Sequence, residues 1–317
     1  MQDIPSSAAP TREPGFFRRA WDSDLAFAFR SSPVAMVSAL VSLVMIGGAL
    51  IGPFFAPQDP FDPGALNLMD GLTAPGKVNE FTGHSFLFGT DPQGRDMFSA
   101  VLYGSRVSLF VGAASVVFSA GLGVMLGLMA GYVGGKVEAI IMRVADIQLS
   151  FPAILIALLV FGVARGLIPP AQQEDATLVL LIVAIGLSNW AQYARTVRGS
   201  TLIEKNKEYV QAARVSGRSG FAIMVRHILP NVMGPVTVIA TINLALAIIE
   251  EATLSFLGVG MPPTQPSLGT LIRVGQQFLF SGEWWILFFP AITLIILALA
   301  INLLGDWLRD ALNPRLR

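Results

Sequence analysis

The chain has 317 residues, 53% of them hydrophobic and 13% charged, with 21 Lys+Arg against 21 Asp+Glu and a mean hydropathy of +0.63. Soluble domains carry about 25% charged residues and nucleic-acid binders a basic surplus, so both classes are excluded, as is a disordered chain. With no cysteine and only His84 and His227, the sequence holds no disulfide framework, thiol nucleophile, Cys-type zinc site or HExxH. No GxxxxGK[ST] phosphate loop is present either, the run 131–136 breaking that spacing, so this chain does not hydrolyse nucleotide by itself.

In chain order, residues 1–33 come first. Phe16, Phe17, Arg18, Arg19, Ala20 and Trp21, with Phe27 and Phe29, predict an interfacial helix. The first long apolar run follows this segment and reads as a retained helix rather than a cleaved signal. A bilayer core needs roughly 20 apolar residues in a helix. Six stretches meet that length: 34–56, 107–132, 144–164, 177–194, 232–257 and 285–308. The fold class expected is therefore an all-α integral membrane protein with six transmembrane helices, its membrane domain covering 34–308 and a short tail covering 309–317.

Lys and Arg alternate across these spans. They crowd into the N-terminal segment, the loop with Lys136 and Arg143, the loop 195–231 and the C-terminal tail. The opposite set holds only Lys77, Arg95, Arg106, Arg165 and Arg273. The positive-inside rule then places both termini and 195–231 in the cytoplasm and 57–106 outside. That outer segment carries Asp59, Asp62, Asp70, Glu80, Asp91 and Asp96, which either attract cationic substrate ends or are simply solvated. Asp91 followed by Pro92 predicts an N-cap and first turn, hence a short surface helix over 92–104 with Arg95 one turn on. Trp285 and Trp307 stand about 33 Å apart along a helix and, with Trp284, read as interfacial anchors.

Inside the spans, Gly123, Gly127 and Gly131 form successive small-xxx-small steps that allow close helix packing, either within the chain or against a partner. Pro152 falls within the third span and predicts a kink. Glu250 and Glu251 are adjacent acids in an apolar stretch. Counting from Pro235 puts them about 22 Å along the helix, in the outer third of the bilayer. They line a translocation path or outer gate, or make structural hydrogen bonds; at least one must face protein or a wet cavity.

The loop 195–231 is the most informative segment. Tyr209, Ala212, Ala213 and Ser216 share one helical face, mostly of small side chains that let another surface approach the backbone. Gly217 suits a C-cap or tight turn, and residues 221–227 predict a second short helix stopped by Pro230. The expectation is a helix–turn–helix hairpin with cationic flanks. It is either a solvated amphipathic loop held at the lipid surface by arginines or, as its small-residue face favours, an element that docks a cytoplasmic partner. DNA binding is disfavoured because nothing else in the chain is basic.

These residues resemble the EAA loop of ABC importer permeases. Ala212, Ala213 and Gly217 match AAxxxG, and Leu229 with Pro230 match the closing LP; Gln211 stands where that motif has Glu. The form that runs from Tyr209 through Arg218 to Asn231 is similar to the dipeptide/oligopeptide/nickel branch. So are GTDPQGRD at 89–96, Gly104 to Leu109, Asp146 with Ser150, Phe151 and Pro152, and EATLSFLG at 251–258. The resemblance implies a type I importer permease, the second permease of a dipeptide or oligopeptide system. It implies a homologous partner permease, two cytoplasmic ATPases that hold the ATP and Mg, and an external (periplasmic) substrate-binding protein. No cofactor would be bound by this chain, and alternating access in the inner membrane is the implied mechanism. Nickel chelate and glutathione cargoes stay open, as does a secondary transporter as a reading of another class.

Overall fold

The computed structural model describes residues 24–311. The aromatic cluster at 16–21 and the tail beyond 311 lie outside the described residues. A short helix α1 (Asp24–Arg30) precedes α2 (Pro33–Ile51), whose N-cap Ser32 accepts a hydrogen bond from Ala35 N at 3.3 Å. Then come α3 (Met97–Val133), α4 (Gly135–Leu149), α5 (Ala153–Gly166) and α6 (Gln173–Glu204). Two short helices, α7 (Glu208–Val215) and α8 (Gly220–Ile223), lead through a π turn at Met224–Ile228 into α9 (Leu229–Phe256). A lateral helix α10 (Leu268–Phe278) and a long α11 (Trp285–Ala311) complete the chain.

Five of these pieces are long and apolar enough to cross a membrane: Pro33–Phe54, Met97–Val133, Pro170–Glu204, Gly220–Phe256 and Trp285–Ala311. α4 and α5 meet at 102° across the break at 150–152 and make a sixth span only when counted together. Pro152 therefore does not kink a continuous helix, as the sequence predicts. It stands in the break, because proline lacks an N–H and disfavours helical backbone in the residue before it. The prolines inside helices are Pro235 in α9 and Pro290 in α11.

α3 and α6 make the most extensive pairing in the bundle. Gly123, Gly127 and Gly131 all face α6, against Trp190, Tyr193, Ala194, Val197, Arg198 and Thr201. A Cβ placed on Gly127 would lie 2.6 Å from the Ala194 carbonyl oxygen and 2.8 Å from Val197 Cβ. The stripe thus brings two backbones of the same chain together, at a distance that a side chain would forbid. α9 packs across α3 and α6, and α11 closes over α9, α10 and α2.

Of 92–104, residues 92–96 form a turn and 97–104 are the first turns of α3 rather than a separate surface helix. Asp91 instead turns the chain: its Oδ1 accepts from Gln93 N at 2.8 Å and Arg95 N at 3.0 Å. The N-cap is Asp96, whose carboxylate accepts from Ser99 N at 2.9 Å, and α3 then runs unbroken for 37 residues. Of the two aspartates, Asp96 has a serine three residues on to complete the cap, whereas Asp91 has Gly94 there. Asp70 gathers a polar knot with Thr82 and His84 Nδ1, the latter at 3.0 Å. Trp285 is not a free interfacial anchor, since its indole N–H donates to Thr90 O at 3.0 Å and the ring is buried. Trp284 stays exposed, and Trp307 packs edge-on against Phe29, with ring centroids 5.2 Å apart.

Candidate functional site

The hairpin is built on the end of α6. Lys205 Nζ reaches the Gly131 carbonyl at 2.7 Å, tying the root of the loop to the end of α3. Tyr209 Oη donates to Glu204 Oε2 at 2.6 Å and receives Asn231 Nδ2 at 3.3 Å, so one phenol joins α6, α7 and the first turn of α9. Burial, then the hydrogen bond and charge of Glu204, push the Tyr209 hydroxyl up to about 12. The phenol therefore stays protonated, and a donor, throughout the neutral range. Its stabilising effect is complete below the ordinary value near 10 and is lost as pH rises through 12.

α7 closes with a left-handed residue. Gly217 has φ +73°, Gly217 N donates to Arg214 O at 3.0 Å and Arg218 N to Ala213 O at 3.2 Å, the paired bonds of a Schellman end. Ser219 then caps α8 through Ala222 N at 3.3 Å. Pro230 does not stop this second helix. The five-residue π turn absorbs the missing N–H, and Gly220 to Phe256 continues as one span.

Ala212 and Ala213 part company here. Ala213 is buried beside Val210, Ile223, Ile228 and Val232, against Leu128, Tyr193 and Val197 of α3 and α6. Its side chain therefore faces the chain's own core, whereas the sequence places it on one outward face with Ala212. Successive helical residues point 100° apart, so one of an adjacent pair goes inward. Tyr209 and Leu229 pack against the same cluster as partly buried groups. Ala212, Ser216, Gly217, Arg218 and Pro230 are exposed. The tip also bears two apolar side chains that the sequence reading passed over, Val215 at 91% exposure and Phe221 at 72%.

Glu250 and Glu251 separate in the same way. Glu251 is fully buried, and both of its oxygens are used: Ser108 Oγ donates to Oε2 at 2.6 Å and Ser255 Oγ to Oε1 at 2.7 Å. Leu268 N donates on to Ser108 Oγ at 3.3 Å, so Glu251 joins α3 and α9 to the start of α10. Glu250 is half-buried and accepts from Asn189 Nδ2 of α6 at 2.8 Å. That bond sets it level with Asn189, about 9 Å from Arg195 and about 21 Å from Asp175 along α6. Asn189, Gln192 and Asn243 were not singled out from the sequence; polar residues at i, i+3 in one apolar stretch and at i, i+7 in another were the available signal.

Residues 123–317 match the family model described as binding-protein-dependent transport system inner membrane component, and 15–75 match that of the N-terminal TM domain of oligopeptide transport permease C. The chain belongs to the binding-protein-dependent transport permeases. It is 34% identical over its whole length to the di/tripeptide transport system permease protein DppC of Pseudomonas aeruginosa, covering 98% of that protein. It is 36% identical to the oligopeptide transport system permease protein OppC of Bacillus subtilis, over 93% of this chain and 90% of the other. A similar structure is the MetNI methionine ABC transporter in an inward-facing form, with TM-score 0.53 and 20% identity over 68% of this chain and 98% of that one. That likeness is one of fold, and this permease shares the type I arrangement with it.

Within this permease fold, Glu251→Leu is expected to deplete the chain recovered from the membrane. It strands the buried hydroxyls of Ser108 and Ser255, at about 1–3 kcal/mol. Thermal stability of the detergent-extracted chain measures the effect, and Glu251→Gln, which keeps an acceptor, should lose less. An unchanged midpoint for Glu251→Leu would remove the structural assignment.

Proposed function

We propose that this chain is the permease subunit of an ATP-driven importer of short peptides, sharing its translocation path with a second, homologous permease. Two cytoplasmic ATPases would hold the ATP and Mg, and an external binding protein would deliver the cargo. The observation that carries the reading is the hairpin. An exposed tip of Ala212, Val215 and Phe221 stands on a frame hydrogen-bonded to α3, α6 and α9, which suits a surface that receives force rather than a solvated loop. Relatives described as dipeptide and oligopeptide permeases support the cargo class.

In this reading 34–308 is the membrane domain, 57–106 is external, 195–231 is the coupling loop, and 1–33 and 309–317 lie on the cytoplasmic side. Because the chain has no cysteine, single thiols report sidedness directly. Exposed Glu80→Cys should react with an impermeant thiol reagent in intact cells and Asn206→Cys should not. Labelling of Asn206→Cys from outside would invert the topology. For the function itself, peptide uptake by cells expressing the chain with its neighbouring subunits should require ATP and cease when the ATPase is omitted. Uptake driven by an ion gradient without any ATPase would assign the chain to secondary transport instead.

A further inference from the structure

Although α6 and α9 are apolar helices, their adjoining sides carry amides and one carboxylate. Asn189 and Gln192 lie one turn apart on α6, and Asn243 and Glu250 lie two turns apart on α9. Asn189 Nδ2 donates to Glu250 Oε2 at 2.8 Å, and Asn243 Nδ2 comes within 3.5 Å of Gln192 Oε1. The strip is inside the apolar part of α6. At 1.5 Å per residue Asn189 is about 21 Å from Asp175 and about 9 Å from Arg195.

The strip is also open, unlike the neighbouring acid. Glu251 is sealed with both oxygens hydrogen-bonded, whereas among the described residues nothing donates to Glu250 Oε1, and that atom is not enclosed. Gln192 is exposed, and among the described residues its amide N–H groups reach no acceptor. Polar side chains turned outward at this depth are not left to hydrocarbon; they face protein or a water-filled cavity. The groups on offer are a carboxylate oxygen that accepts, an amide oxygen that accepts and an amide nitrogen that donates. A cationic amino end followed by peptide groups has the complementary set.

We propose that Gln192, Asn189 and Glu250 form a wet strip of the translocation path, on which Glu250 receives the ammonium end of a passing peptide and Gln192 its backbone amide. The proposal rests on the peptide reading above and deepens it. Asn243 and Asn189 hold the two contacting side chains in place.

The test uses the complex with all its subunits in membrane vesicles. The Gln192→Cys thiol should react with a positively charged, water-soluble methanethiosulfonate at least about tenfold faster than an Ile295→Cys thiol on the exposed apolar face of α11, and the modification should block uptake. A rate no faster than that of Ile295→Cys, with or without ATP, overturns the wet strip. For the carboxylate, wild type should carry a dipeptide with a free amino end about tenfold better than its N-acetylated form, as a charged hydrogen bond warrants. Glu250→Gln should abolish that preference and Glu250→Asp should keep it, with unchanged amounts of complex. Persistence of the preference in Glu250→Gln overturns the ammonium contact. Absence of any peptide uptake in wild type would instead refute the cargo reading, and labelling at Gln192→Cys would still decide whether the strip is wet.

Discussion

Ala213→Asp and Val215→Asp, two residues apart on α7, are expected to fail in different ways. Ala213 is buried in one hydrophobic cluster that includes Val210, Ile223 and Ile228 together with Leu128, Tyr193 and Val197 of the bundle. An aspartate there is an unpaired buried charge, which costs several kcal/mol even after local rearrangement, so the hairpin should detach from the bundle and less chain should reach the membrane. Val215 touches little, and a change at so exposed a site shifts stability by no more than about 0.5 kcal/mol. Val215→Asp, and likewise Phe221→Asp, should therefore leave membrane levels normal while releasing the ATPase on purification and abolishing uptake. The measurements are immunoblot level, co-purified ATPase and peptide uptake for each variant. Wild-type ATPase binding and uptake in both Val215→Asp and Phe221→Asp would remove the tip from the coupling surface.

Arg95→Leu is expected to be among the most damaging single changes outside the membrane. Arg95 and Asp91 are 2% and 1% exposed, with Arg95 Nε 2.6 Å from Asp91 Oδ2, and Arg95 Nη1 donates to Pro263 O at 2.8 Å. The guanidinium thus ties the turn before α3 to the loop between α9 and α10. Removing it leaves a buried carboxylate without its cation, a loss of about 3–5 kcal/mol. Against a total stability of roughly 5–15 kcal/mol, that is enough to unfold much of the population. Protease cleavage within 57–90 should rise sharply and the thermal midpoint should fall. The pair variant Asp91→Asn with Arg95→Leu should recover part of the loss, since no charge is then left alone. A midpoint for Arg95→Leu equal to that of the parent chain would refute the assignment.

What the sequence could reveal follows from the kind of signal each feature leaves. Apolar runs declare membrane helices by length alone, and all six regions are helical in the structure. Their ends differ by up to twelve residues, because a charged or polar residue such as Arg106, Arg195 or Arg226 cuts the apolar run short while the helix continues past it. Gly217 was legible, since a left-handed residue after a helix calls for glycine. The side to which Ala213 points was not: a face of alanine and serine is equally suited to the chain's own core and to a foreign groove. The sequence places Glu250 and Glu251 together, whereas 100° of helical rotation gives one a closed set of serines and the other an open edge beside Asn189. Pro230 read as a stop because the register of a π turn, which tolerates it, has no residue code.

The continuity of Gly220–Phe256 has a mechanical consequence. These 37 residues form one helical limb about 55 Å long, with no loop between the hairpin tip and the Glu250 side chain, in which Pro230 and Pro235 each remove one backbone hydrogen bond. A helix resists stretching and bending far more than a linker does, so a push on Phe221 is carried toward Asn189 past Pro230 and Pro235, the two points where the ladder is weakest. Compliance is concentrated at the other end of the hairpin, where residues 216–219 join α7 to α8 and Gly217 supplies the one left-handed step. The stiff limb and the pliant joint therefore lie on opposite sides of the same tip, the arrangement by which a stroke at one end becomes a tilt at the other.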